Sequence, residues 1–172
     1  MQARDERAFE EFVARTGDRL LRCAFLLVGE RAAAEDLVQG ALERTYRHWP
    51  RVSAGQPEAY VRKALVNAAA SRWRRNRIRE VPLGPHDVVG PPDHADHLLA
   101  RDELIRALMT LPARQRTVLV LRYFDDLPEA EVAAALGCSI GSVKTHASRG
   151  LARLRASTEL ADRSLPMTGR NS

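Results

Sequence analysis

Between Glu80 and Asp96 the chain carries Pro82, Gly84, Pro85, Gly90, Pro91 and Pro92, and no helix or strand survives breakers at that spacing. On either side the pattern changes. Apolar residues recur at three and four, alanine, leucine and arginine dominate, and nothing alternates with a period of two. The 172 residues therefore read as all-α, with two small helical domains joined by a Pro/Gly-rich linker that is semi-stiff where the prolines cluster. The boundaries fall at 1–79 for the first domain, 80–96 for the linker, 97–160 for the second domain and 161–172 for a polar, disordered tail.

The second domain holds the most informative stretch, PEAEVAAALGCSIGSVKTHASRGLARL, from Pro128 to Leu154. Its spacing predicts a short helix, a three-residue turn and a second helix. Val132, Ala133 and Leu136 give the first helix an inward face, Gly137 stops it, and Ser139 is placed to cap the second helix. Pro128 stands where a Ser or Thr cap often opens such a motif, while Glu131 keeps the acidic position of a capping box. On the second helix Ile140, Val143, Ala147, Leu151 and Leu154 form one apolar stripe. Ser142, Thr145, Ser148 and Arg149 lie opposite, flanked by Lys144, His146 and Arg153, with no acid among them. A basic face alone is also what a solvated amphipathic helix shows. Joined to a capped turn, an acid-free face points to duplex DNA, where Arg and Lys neutralise phosphates and short hydroxyl side chains fit base edges. Residues 97–112 and 113–126 supply two more helices, with Val118, Leu119, Leu121 and Tyr123 offered to the core and Arg114 and Arg116 within reach of a phosphate backbone.

In the first domain the spacing predicts helices from Asp5 to Val28, broken near Gly17 with Asp18 as a cap, and from Glu30 to Arg47 after Gly29. Ala34, Leu37, Val38, Ala41, Leu42, Thr45 and Trp49 turn inward from the longer helix; Asp36, Gln39, Gly40, Glu43 and Arg47 share its outer face. A mid-helix glycine costs roughly 1 kcal/mol against alanine, so Gly40 marks either a tolerant surface or a close approach. After the turn RVSAGQ, Pro57 opens a helix to Arg79 whose core stripe is Val61, Ala64, Leu65 and Ala68. Lys63, Asn67, Ser71 and Arg74 occupy another face, and Arg72, Arg75, Arg77 and Arg79 crowd around Trp73. Trp73 is either a stacking platform for single-stranded bases or a core residue with arginines snorkelling about it.

The net charge of +5 favours an anionic partner, and its segregation, acids early and bases in two later blocks, suits a protein touching two partners of opposite character. Cys23 and Cys138 are single thiols without a CxxC, read as small buried hydrophobes in a reducing compartment. The opening MQARDERAFEEF is too charged for a signal peptide, and the run Ala24 to Val28 is too short to span a bilayer, which gives a cytoplasmic protein. His86, His94 and His97 sit in or beside the linker as solvated loop residues, with no metal expected. No nucleophile and base pair, phosphate-cradling glycine loop or metal cluster is evident, so neither catalysis nor a cofactor is expected.

The order and wording of these motifs resemble a bacterial RNA polymerase sigma factor of the extracytoplasmic function group, of the actinobacterial SigE type. LPARQRTVLVLRYFDDLPEAEVAAALGCSIGSVKTHASRGLARLR resembles sigma region 4; AEDLVQGALERTYRHW and YVRKALVNAAASRWRRNR resemble region 2. The resemblance implies that Asp36, Gln39 and Glu43 dock on the β′ clamp coiled coil of core polymerase. It implies that Lys63, Asn67, Arg72, Trp73 and Arg74 engage the −10 element as strands separate. Ser142, Lys144, Thr145, Ser148 and Arg149 would read the −35 element, with Arg114 and Arg116 as phosphate anchors. The partners implied are core polymerase, through its β′ clamp and β flap, promoter DNA and an anti-sigma factor, with no membrane. Gly40 departs from the family's usual Glu, and Ser71 stands where an Asp is frequent. A stand-alone helix-turn-helix regulator would share the second domain but need a sensor or dimerisation module. An adaptor that binds only proteins would show no salt-sensitive binding to nucleic acid.

Overall fold

A computed structural model describes the backbone of residues 3–79 and 95–164, and the side chains of 3–77 and 101–159. Among these residues every regular element is helical. The linker from 80 to 94, the tail beyond Ser164 and the side chains of the three linker histidines lie outside the described residues.

Helix α1, Ala3–Val28, runs unbroken through Gly17, whose added side chain would meet only Val13. The expected break and Asp18 cap do not form, because one glycine is a small cost in a 26-residue helix with a packed apolar face. Gly29, at φ +74°, ends it, its N–H donating to the Phe25 carbonyl at 2.7 Å. Helix α2, Arg31–Arg47, lays Ala33, Ala34, Leu37, Val38, Ala41 and Thr45 against its neighbours; the buried Thr45 hydroxyl donates to the Ala41 carbonyl. A short helix, α3, Trp49–Val52, occupies part of the expected turn and seats Trp49 among Phe9 and Phe12, with ring centroids 5.1 and 5.2 Å away. Helix α4, Pro57–Arg79, opens at proline as expected. It buries Val61, Ala64, Leu65, Val66 and Ala69, a stripe wider than expected because helices of the second domain cover another side.

The second domain comprises α5, Ala95–Met109, α6, Ala113–Leu119, a π-helical turn, Val120–Phe124, α7, Glu129–Leu136, and α8, Ile140–Ser164. Val118, Leu119, Val120 and Leu121 are all at most 2% exposed, so this segment has no solvent side. It lies between α8 and the first domain. A Cβ on Gly150 would come within 2.9 Å of Leu119 Cδ1, so the approach of α8 to α6 requires glycine there. In the π turn the Asp125 N–H reaches back to the Val120 carbonyl at 3.0 Å. The extra residue shifts the helical phase, which leaves Tyr123 51% exposed where the regular spacing offered it to the core, and turns Asp125 inward. Ile140, at 45% exposed, also departs from its expected stripe, which begins at Val143 because Ile140 is the first residue of α8. The helix reaches Ser164, four residues past the expected boundary.

Candidate nucleic-acid interfaces

Helix α8 enters from a turn built as the sequence predicts. Gly137 takes the left-handed conformation at φ +63°, and the Ser142 N–H donates to Ser139 Oγ at 3.1 Å, satisfying one of the free donors of the first turn. From that fixed start Lys144, Thr145, Ser148 and Arg149 emerge exposed on one side, with Ser142 half-buried beside them. The exposed Thr145 donates its hydroxyl to the Gly141 carbonyl at 3.0 Å. Lys144 stands 3.8 Å from Glu129 on α7, an exposed pairing that a phosphate can displace at little cost. Arg114, at the start of α6, is exposed and touches the Leu136 carbonyl only at 3.4 Å.

Arg116 corrects the expectation of a phosphate anchor. Its guanidinium is buried, donates to the Leu27 carbonyl at 2.9 Å and the Leu111 carbonyl at 3.0 Å, and lies 4.8 Å from the centre of the Trp73 ring. Burial pushes its pKa down to about 10, which still leaves it charged at neutral pH. Trp73 is accordingly half-buried beneath a guanidinium and packed on the core, the second of the two readings its sequence allowed.

The other candidate residues of the basic helix lie along α4. Lys63, Asn67 and Arg74 are exposed, Arg74 reaching Ser71 Oγ at 3.0 Å; Arg72 is half-buried and paired with Glu30 at 3.3 Å. Beside the start of this helix is a feature the sequence reading missed, a cavity of about 470 Å³ lined by His48, Arg51, Val52, Gly55, Gln56 and Tyr60. The His48 and Tyr60 rings stand 6.1 Å apart, and Arg51 and Gln56 add donors, so its walls offer both stacking and hydrogen bonding. The only sequence signal was the turn itself, an irregular segment ahead of a basic helix.

On α2, Asp36, Gln39 and Glu43 are exposed, and Gln39 donates to Glu43 at 3.2 Å. Nothing lies within 4 Å of a Cβ added to Gly40, so that glycine marks a tolerant surface rather than a close approach. Next to this face a cleft of about 660 Å³ runs between α1 and α2, lined by Phe9, Val13, Leu21, Val38, Leu42 and Tyr46 and edged by Asp18, Glu35 and Glu43.

Residues 12–78 match sigma-70 region 2, and residues 101–154 match sigma-70 region 4. An RNA polymerase sigma-E factor of Streptomyces coelicolor is 40% identical over 153 residues, covering 86% of this chain and 84% of its own length. The chain belongs to the sigma-70 family, in its extracytoplasmic function branch. A second relative, the sigma-E factor of Streptomyces avermitilis, is 38% identical over 155 residues, covering 90% of this sigma factor and 87% of the relative. The sigma factor RpoE of Bartonella quintana, crystallised with the anti-sigma factor NepR, superposes with a TM-score of 0.71 at 26% identity, over 89% of this chain and 98% of that one. This sigma factor is thus a transcription-initiation factor of RNA polymerase, with its helix-turn-helix in region 4. Among the described residues no helix is long and apolar enough to cross a membrane.

Proposed function

We propose that this sigma factor works in the cytoplasm by dividing promoter recognition between its two domains, with core polymerase holding them at the separation of the −35 and −10 elements. The observation that supports the reading is the pair of exposed, acid-free basic faces, one on α4 and one on α8, in different domains. Either face alone makes few contacts. Linked through polymerase, the second contact becomes intramolecular and specificity rises without any new interaction.

In this reading Asp36, Gln39 and Glu43 meet the β′ clamp coiled coil, the apolar cleft beside them seating the partner's aliphatic side chains. Lys63, Asn67 and Arg74 follow the −10 strand, and Arg72 does so after leaving Glu30. The cavity at His48 and Tyr60 receives a base released from the stack, its rings and the donors of Arg51 and Gln56 compensating the lost pairing. On α8, Ser142, Lys144, Thr145, Ser148 and Arg149 read the −35 duplex with Arg114 on the phosphates. The β flap and an anti-sigma factor complete the set of partners, and phosphodiester chemistry stays with the polymerase.

Run-off transcription with sigma-free core polymerase and a genomic promoter library tests this. Start sites dependent on the protein, and lost with Asn67→Ala or Arg149→Ala, are the expected result. No starts, together with no comigration with core polymerase, would overturn it.

A further inference from the structure

The acid-free face of α8 has an acid beside it, supplied by α7. Glu129, the first residue of α7, places Oε2 3.8 Å from Lys144 Nζ and Oε1 3.7 Å from Arg122 Nη2. Arg122 is itself held, donating to the Leu127 carbonyl at 3.1 Å and lying 5.8 Å from the centre of the Tyr123 ring. The carboxylate is therefore steadied from behind by a half-buried guanidinium. On its other side it meets an ammonium that is 65% exposed.

The fold has little need of this pairing. α7 has a second acid, Glu131, in its first turn, so the free N–H groups there keep a negative charge without Glu129. At 3.8 Å Lys144 spends none of its three donors on Glu129, unlike Arg72, which donates to Glu30 at 3.3 Å and ties α4 to the start of α2. The effect falls on DNA instead. A phosphate oxygen bound by Lys144 would lie about 2.8 Å from Nζ, hence within about 7 Å of Glu129, inside the ~8 Å over which charges stay coupled at physiological salt. The carboxylate weakens that contact twice, attracting the ammonium the phosphate needs and repelling the phosphate. Backbone phosphates are alike at every site, so neither effect distinguishes one base pair from another.

We propose that Glu129 sets the strength of the duplex contact without reading sequence: by holding Lys144 back, it keeps region 4 weaker on DNA than its basic face allows. The proposal rests on the reading of α8 as the −35 helix.

The test uses holoenzyme assembled from core polymerase and the full chain, with two fluorescent duplexes of equal length. One carries a −35 element found by run-off transcription and ends short of the −10 element; the other has mixed sequence. Each is titrated over a series of salt concentrations. Glu129→Gln should tighten both duplexes by a similar factor, about 2- to 5-fold, whereas Lys144→Ala should loosen both and lower the salt slope by about 1. In a Lys144→Ala background Glu129→Gln should lose most of its effect, a coupling that a merely structural role would not produce. Equal tightening with and without Lys144, no tightening, or tightening of one duplex alone would overturn the proposal while Arg149→Ala still weakens the −35 duplex. Should Lys144→Ala and Arg149→Ala both leave that duplex bound as before, the reading of α8 fails and the proposal with it.

Discussion

Two interfaces in this molecule differ in what they are made of. Where α2 meets α1 and α4 the contact is alanine, leucine and valine, with Ala34, Leu65 and Leu27 wholly buried and Thr45 bonded within its own helix. Where the first domain meets the second, the apolar contact also holds charged groups, Asp125 between two arginines and a third arginine laid over an indole. An apolar contact gains only by excluding water, so it has no alternative partner to leave for. A carboxylate and a guanidinium each find one in water or on an anionic surface. The first interface rests on apolar burial; the second adds buried charged groups to it.

The largest way to break the contrast is to cut the apolar side. Leu65→Ala should cost about 2–5 kcal/mol, because a buried Leu leaves both lost transfer energy and a cavity, and chemical denaturation should show the midpoint falling with the slope retained. Overpacking α6 against α8 comes next: Gly150→Val forces Leu119 aside and should cost about 1–3 kcal/mol, read as a lower melting temperature. Asp125→Asn keeps an acceptor for its arginines but removes the charge between them, and should cost about 1–3 kcal/mol. Its signature is local. Cys23 lies against Asp125 and its thiol is pushed up to about 12, chiefly by burial, so native alkylation is slow and should quicken on the order of 10-fold when this contact loosens. Ser139→Ala removes the cap of α8 and should cost about 1 kcal/mol, measurable by thermal denaturation, with weaker binding to −35 duplex. At the small end, Gly40→Ala should stabilise by about 0.5–1 kcal/mol, since its Cβ meets open space, and should leave core binding unchanged if Asp36, Gln39 and Glu43 carry the dock.

The same contrast separates what was legible in the sequence from what was not. Helix ends and inward faces were readable because their causes are local: Gly29 and Gly137 in left-handed turns, Pro57 at a helix start, Ser139 at a cap. The exposed faces of α2, α4 and α8 followed from the same periodicity. Apart from Gly17, and Ile140 at the first position of α8, the departures have causes that helical spacing does not carry. Arg116 reads as a surface charge at a helix start and becomes a buried cap only because the end of α1 arrives from 89 residues away. Trp73 is half-buried because the same residue covers one face of its ring. Tyr123 and Asp125 exchanged roles through a π turn that no three-or-four spacing announces, and the His48 and Tyr60 cavity joins residues from either side of α3. Gly17 was over-read, a breaker whose penalty the surrounding helix absorbs.

The most direct test of the claim that the two domains divide promoter recognition is run-off transcription by core polymerase with Arg149→Ala and Asn67→Ala variants on promoters altered in the −35 or the −10 element. Loss of sensitivity to the −35 element alone in Arg149→Ala, and to the −10 element alone in Asn67→Ala, is the predicted result. Either variant losing sensitivity to both elements equally would contradict it.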